Sequence, residues 1–257
     1  MADSKPLRVF NNDTEEYNLY REMYQNQTLE FVLQKKTEYS PLTKTSMTMN
    51  KALQQLNNFV DPSDPDVDVS NLTHAYQTAE RIRRKYPDNK EYQLLGLIHD
   101  VGKILYTYNE PSWAVVGDTY VLGCRFPESI VFYDSLKLSP DYNIYDKLGI
   151  YKKGCGMDKL NISFGHDEYL YMVLEGNKHR FPRKYMDIIR YHSLYPWHTE
   201  GEYREFMTDK DHLTLKNVQE FNKFDLYSKN DTIVIDQDVV DYYNNLLDIY
   251  FPNKLNW

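Results

Sequence analysis

Of the seven histidines in the chain, His74, His99, His166 and His192 fall on or beside the apolar stripe of segments with helical periodicity. His179, His198 and His212 fall in loops or near element ends. One histidine on a buried helix face is ordinarily a hydrogen-bonded core residue. Four together pose a different problem, because each buried imidazole needs a partner and a shared metal satisfies all of them at once. The sharpest feature is His99-Asp100 within LLGLIHDVGK. Adjacent helical residues point about 100° apart, so the pair straddles one site instead of sharing a face. Asp100 has two oxygens and can hold one cation with each, which places it to bridge two metals, whereas a metal-bound imidazole offers one nitrogen. Lys103, a turn further along, can reach into the space the metals border; its bland alternative is a snorkelling lysine at a helix end.

These side chains need helices to carry them. Tyr17, Tyr20, Tyr24, Gln27 and Phe31 fall at steps of three and four and predict a helix over about 14–37. A second helix is expected over 47–59, and the run DPSDPDVDVS after it is a loop. Ser70 or Asn71 can cap a helix over 72–85 that bears His74, with Arg81, Arg83, Arg84 and Lys85 at its cation-favouring end. Asp88 and Glu91 form a capping box ahead of EYQLLGLIHDVGKILY, a buried helix bearing His99, Asp100 and Lys103. From about 111 to 161 the pattern breaks, with a short β-hairpin expected near 114–122. Ser163 starts the helix bearing His166, and Pro182 opens the one that ends near His192. Further helices are expected over about 211–227 and 236–250. There is no internal repeat or dividing linker, so the reading is one all-α domain over 1–257, with 1–45 as an N-terminal helix and arm packed on it.

Composition limits the function classes. Lys plus Arg number 30 against 38 Asp plus Glu, a net charge of −8, so no long basic face exists to neutralise nucleic-acid phosphates. No stretch has the length of unbroken apolar residues that crosses a bilayer, and the first twenty residues lack the apolar core of a signal peptide. The two cysteines, Cys124 and Cys155, are too few for a disulfide framework. A cytoplasmic protein without nucleic-acid or membrane partners is expected, acting as a monomer. Sparse glycine and abundant tyrosine, 10 and 24 residues, suit helices packed around a wet cavity.

With Asp225 added, the order His74, His99-Asp100, Asp225 is similar to the layout of the HD-domain superfamily. The series HAYQTAERIRRKYPD, LLGLIHDVGK, WAVVGDTYVLGCR, SFGHDEYLYMVL, IIRYHSLYPWH and EFNKFDLYSK strongly resembles the myo-inositol oxygenase family. The resemblance covers about residues 55–257, with a looser match in the N-terminal helix. It implies a compact helical HD domain around a non-haem di-iron centre in a mixed-valent Fe(II)/Fe(III) state. His74, His99, Asp100 and Asp225 would hold one iron, and His166, His192 and the bridging Asp100 the other. Such a mixed nitrogen and oxygen set suits iron and not a cysteine-rich structural zinc site. The resemblance also implies substrate contacts at Arg8, Asp61, Ser63, Lys103, Gly117, Asp118 and Ser193, with Lys103 hydrogen-bonded to the reacting oxygen. The implied reaction is the dioxygen-dependent ring cleavage of myo-inositol to D-glucuronate. Aspartates, serines and backbone groups suit a neutral hexol and repel phosphate. Pro62 stands where the family has an acidic residue, which removes a backbone donor from the substrate loop.

Two other classes compete. HD-domain proteins include metal-dependent phosphohydrolases and phosphodiesterases, which metal ligands alone do not separate from an oxygenase; the acidic loop and the lack of a clustered Arg/Lys clamp do. A non-catalytic helical binding module would hold no metal.

Overall fold

In the computed structural model, residues 14–63, 70–227 and 234–257 are described. Ten α-helices and four two-residue strands are present among them: α1 Glu15–Asn26, α2 Leu29–Tyr39, β1 Ser46–Met47, α3 Met49–Gln55, α4 Asn71–Lys85, α5 Lys90–Ile98, β2 Val121–Leu122, β3 Asn161–Ile162, α6 His166–Gly176, α7 Arg183–Tyr191, α8 Tyr195–His198, α9 Asp209–Tyr227, α10 Gln237–Tyr250 and β4 Leu255–Asn256. The helices bury one core that runs from Tyr20 and Tyr24 in α1 to Tyr243 in α10 and Trp257 at the end of the chain. Pairing of β1 with β4 brings the last residues back beside α3.

The expected helix over 14–37 is two helices. Thr28 accepts from Phe31 N and caps α2, while Gln27 turns inward and clamps the Phe164 backbone through both amide atoms, at 2.6 and 2.9 Å. A buried amide able to satisfy a backbone N–H and C=O together outweighs helix continuity here. The expected helix over 47–59 shortens to α3 and a 3-10 turn over Leu56–Asn58. The hairpin expected near 114–122 is corrected: β2 pairs antiparallel with β3, Val121 opposite Ile162. Residues 115–119 do not pair locally because Val115 O accepts from His166 N and Thr119 N donates to Ser193 O.

α4 and α5 cross where small residues meet. A Cβ added to Gly96 would stand 3.0 Å from the Ala79 backbone, so this glycine permits the approach that carries His74 towards His99. Asn89, not Asp88, caps α5 by accepting from Tyr92 N. The expected single helix from residue 91 changes winding at the His-Asp pair: α5 ends at Ile98, and Val101–Tyr108 is 3-10. In that tighter winding, positions three apart eclipse. Lys103 is thereby set directly over Asp100, with Lys103 N bonded to Asp100 O at 2.9 Å. Gly165 starts α6 in extended backbone, while the expected cap Ser163 accepts from Tyr120 N instead.

Candidate metal centre

The cluster is assembled mainly from helix termini. His99 and His192 follow the last residues of α5 and α7, His166 is the first residue of α6, His74 lies in the first turns of α4, and Asp225 near the end of α9. His99, Asp100, His166 and His192 are all at most 4% exposed. Asp100 divides its oxygens between two groups. Oδ2 faces His99 Nε2 at 3.6 Å and His74 Nε2 at 4.0 Å, while Oδ1 faces His166 Nε2 at 3.2 Å and His192 Nε2 at 3.6 Å. Asp225 Oδ1 closes the first group, 2.9 Å from His74 Nε2 and 3.2 Å from His99 Nε2.

The donor set fits a metal. All four histidines turn Nε2 inward, and His99 Nε2 is buried with no hydrogen-bond partner among the described residues. The remote nitrogens of His99, His166 and His192 lie 2.8 Å from the carbonyls of Gly96, Val115 and Ile189, which fixes the tautomer that frees Nε2 for a cation. Phe221 from α9 packs against the rings of His99 and His192 and closes an apolar wall. Three groups within this cluster are spaced to hold a metal ion: His74 with His99 and Asp100, His99 with His192 and Asp225, and Asp100 with His166 and His192.

Lys103 Nζ reaches Asp100 Oδ2 at 2.8 Å, Asp61 Oδ2 at 2.7 Å and Asn71 Oδ1 at 3.0 Å. Burial alone would favour the neutral amine, but the Asp100 and Asp61 carboxylates outweigh it and hold the ammonium well above the ordinary lysine range. Burial likewise opposes the Asp61 anion, and Lys103 with the Ser63 hydrogen bonds keeps that carboxyl below its ordinary value. Ser63 donates to Asp61 Oδ1 from both N and Oγ. On the other side, Tyr20 OH donates to Asp118 Oδ1 at 3.1 Å and accepts from Asp118 N at 2.9 Å. Gly117 beside it has φ +101, and a Cβ there would meet Met23 Cε at 2.6 Å. Ser193 Oγ donates to Asp167 Oδ1.

The structure therefore brings together all six expected ligand positions, and Lys103, Asp61 and Ser63 adjoin them through Asp100. Gly117, Asp118 and Ser193 form a second polar segment joined through Thr119 N. Arg8 lies outside the described residues. Sequence reasoning missed Asn71, Asp167 and Tyr20. Asp167 had a signal, since GHD at 165–167 repeats the His-Asp dipeptide of 99–100, whereas Tyr20 looked like any other member of the α1 apolar stripe.

The fold and the cluster define a helical protein whose His/Asp set, held between helix ends, is spaced to hold metal. Comparison with known proteins narrows the class. The family described as myo-inositol oxygenase matches residues 14–257. Inositol oxygenase of Danio rerio is 47% identical over 245 residues, covering 94% of this chain and 88% of its own length. Those of Dictyostelium discoideum and Homo sapiens are 44% and 42% identical, covering 93% and 94% of this chain and 85% and 86% of their own. The chain belongs to the myo-inositol oxygenase family and is an oxygenase. No helix among the described residues is long and apolar enough to cross a membrane.

Proposed function

We propose that this chain is a cytoplasmic, monomeric di-iron enzyme, a single HD-domain-like catalytic domain over 1–257 that cleaves the ring of myo-inositol with dioxygen to give D-glucuronate. The balance is C6H12O6 + O2 → C6H10O7 + H2O, a four-electron oxidation that needs no further reductant. The division of the two Asp100 oxygens between two histidine pairs carries this reading. His74, His99, Asp100 and Asp225 would hold one iron; Asp100, His166 and His192 the other, with fewer protein ligands and so more room for substrate oxygens. When bound, the mixed-valent pair supplies the redox chemistry and the means of engaging dioxygen.

The chain's own residues bind and orient. Lys103 is a buried donor, favoured as the ammonium by Asp100 and Asp61, beside the bridging carboxylate and placed to hydrogen-bond the reacting hydroxyl oxygen and to stabilise it as its proton is lost. Asp61, Ser63, Asp118 and Ser193, with the Gly117 backbone and Arg8, accept and donate to the remaining hydroxyls. The acidic groups at Asp61 and Asp118 suit a neutral hexol and disfavour a phosphate ester, and the curated relatives carry the oxygenase name. Two free cysteines, one of them buried, accord with a reducing compartment.

The test is oxygen uptake by anaerobically iron-loaded protein when myo-inositol and dioxygen are supplied, with identification of the product. Glucuronate formed mole for mole with oxygen consumed is the expected result. Phosphate release from a generic ester without inositol-dependent oxygen uptake would replace this reading by the hydrolase one, and failure to take up metal would favour a binding module.

A further inference from the structure

Asp167 directly follows His166, is 1% exposed and is not among the six ligand positions. Its Oδ1 lies 2.8 Å from His192 Nδ1 and accepts from Ser193 Oγ at 2.9 Å. A single oxygen of α6 thus touches both a metal-ligand position that follows α7 and the residue next to it in the polyol wall. The remote nitrogens of His99 and His166 face the carbonyls of Gly96 and Val115, whereas that of His192 has the Asp167 carboxylate as well as Ile189 O. A carboxylate is the stronger acceptor, and such a partner fixes ring orientation and raises the donor strength of the inward nitrogen. Asp167 Oδ2 is buried without a hydrogen-bond partner among the described residues, so this carboxylate acts through Oδ1, which bonds His192 and Ser193 and also stands 3.6 Å from His166 Nε2. Ser193 O in turn accepts from Thr119 N at 2.8 Å, which ties the same unit to the Gly117-Asp118 segment.

We infer that Asp167 is a positioning residue that sets the His192 ring and the Ser193 hydroxyl as one unit, coupling the His166/His192 metal subsite to the substrate wall. This rests on the two-metal reading above. Because metal affinity is measured without inositol, the inference can fail independently of the oxygenase activity.

The experiment is anaerobic Fe(II) titration of the full chain, followed by titration of the iron-loaded protein with myo-inositol. Asp167→Ala is expected to weaken one of two metal equivalents about ten- to a hundred-fold and leave the other unchanged. Asp167→Asn, which keeps an acceptor oxygen and the side-chain volume, recovers part of that loss. Uptake of both equivalents as in the wild type, or equal weakening of both, overturns the inference. If Asp167→Ala does not fold, Asp167→Asn decides by the same criterion. Ser193→Ala should weaken inositol binding with both metal affinities retained, and Asp167→Asn/Ser193→Ala should lose less inositol affinity than the two single losses combined. Fully additive losses would contradict the coupling. A wild-type protein that binds two irons but shows no inositol-dependent oxygen uptake would refute the oxygenase reading, while the metal titration still judges Asp167.

Discussion

Gly102 packs directly on His166: a Cβ at residue 102 would lie 2.0 Å from His166 O and 2.7 Å from its carbonyl carbon. This contact joins the 3-10 segment that follows His99-Asp100 to the first residue of α6, and so draws Asp100 Oδ1 to within 3.2 Å of His166 Nε2. The two halves of the cluster meet because one residue between Asp100 and Lys103 has no side chain.

Gly102→Ala should therefore force α6 away from the 3-10 segment. Overpacking against backbone costs about 1–3 kcal/mol or more. Thermal unfolding should show that loss, and metal analysis should show fewer than two irons per chain. Wild-type stability with full iron content would mean that the contact does not define the site.

Lys103→Met removes the buried ammonium and keeps an unbranched chain of similar reach. The metal content should stay at the wild-type level while kcat/KM falls at least about a hundred-fold, the lower range for a positioned donor. Loss of metal instead would make Lys103 a structural partner of Asp100.

Glu168 and Arg190 link α6 to α7, the helices that supply His166 and His192, through bonds of 2.7 and 3.2 Å, and Lys36 of α2 joins Glu168 at 3.0 Å. Glu168→Gln leaves a buried guanidinium short of its counter-charge, for which about 3–5 kcal/mol of destabilisation is expected. Burial would push the Glu168 carboxyl up, but Arg190 and Lys36 outweigh it and hold it below its ordinary 4.5. A folded value below the unfolded one gives stability that is complete above the unfolded value and is lost as pH falls through the folded one. Denaturant titrations from pH 7 downward should show a shallower acid loss in Glu168→Gln than in the wild type; parallel curves would dismiss the pair as a source of stability.

Metal should stabilise the fold, since an unfolded chain does not preserve a cluster drawn from five helical segments. Iron at a hundredfold its dissociation constant should add about 2.7 kcal/mol, and a chelator should remove it. Unfolding temperatures measured anaerobically with and without iron check this, and equal values would exclude the cluster as a metal site.

Much of this was legible in the sequence. The helical period around His74, His166 and His192, the start signals at Ser70 and Pro182 and the amphipathic range from 236 place most helices within a few residues. What periodicity does not show is where a tertiary partner overrides it. Gln27 sits in a helical pattern yet leaves the helix to bind Phe164, and residues 115–119 pattern as strand yet bond to His166 and Ser193. The change to 3-10 winding at Asp100 was also hidden, because VGKILY satisfies either period. Asp61, Asp118 and Ser193 have types that any turn would accept; the motif series, not their chemistry, singled them out. Asp167 carries a signal in the repeated His-Asp dipeptide, but its role lies in contacts to His192 and Ser193 that only the fold creates.

Mössbauer spectroscopy of the iron-loaded wild type beside Asp100→Ala tests the two-metal account most directly. Two irons per chain, magnetically coupled in the wild type and uncoupled or partly lost without Asp100, is the result the geometry predicts. A single iron per chain, or two that do not sense each other in the wild type, would contradict it.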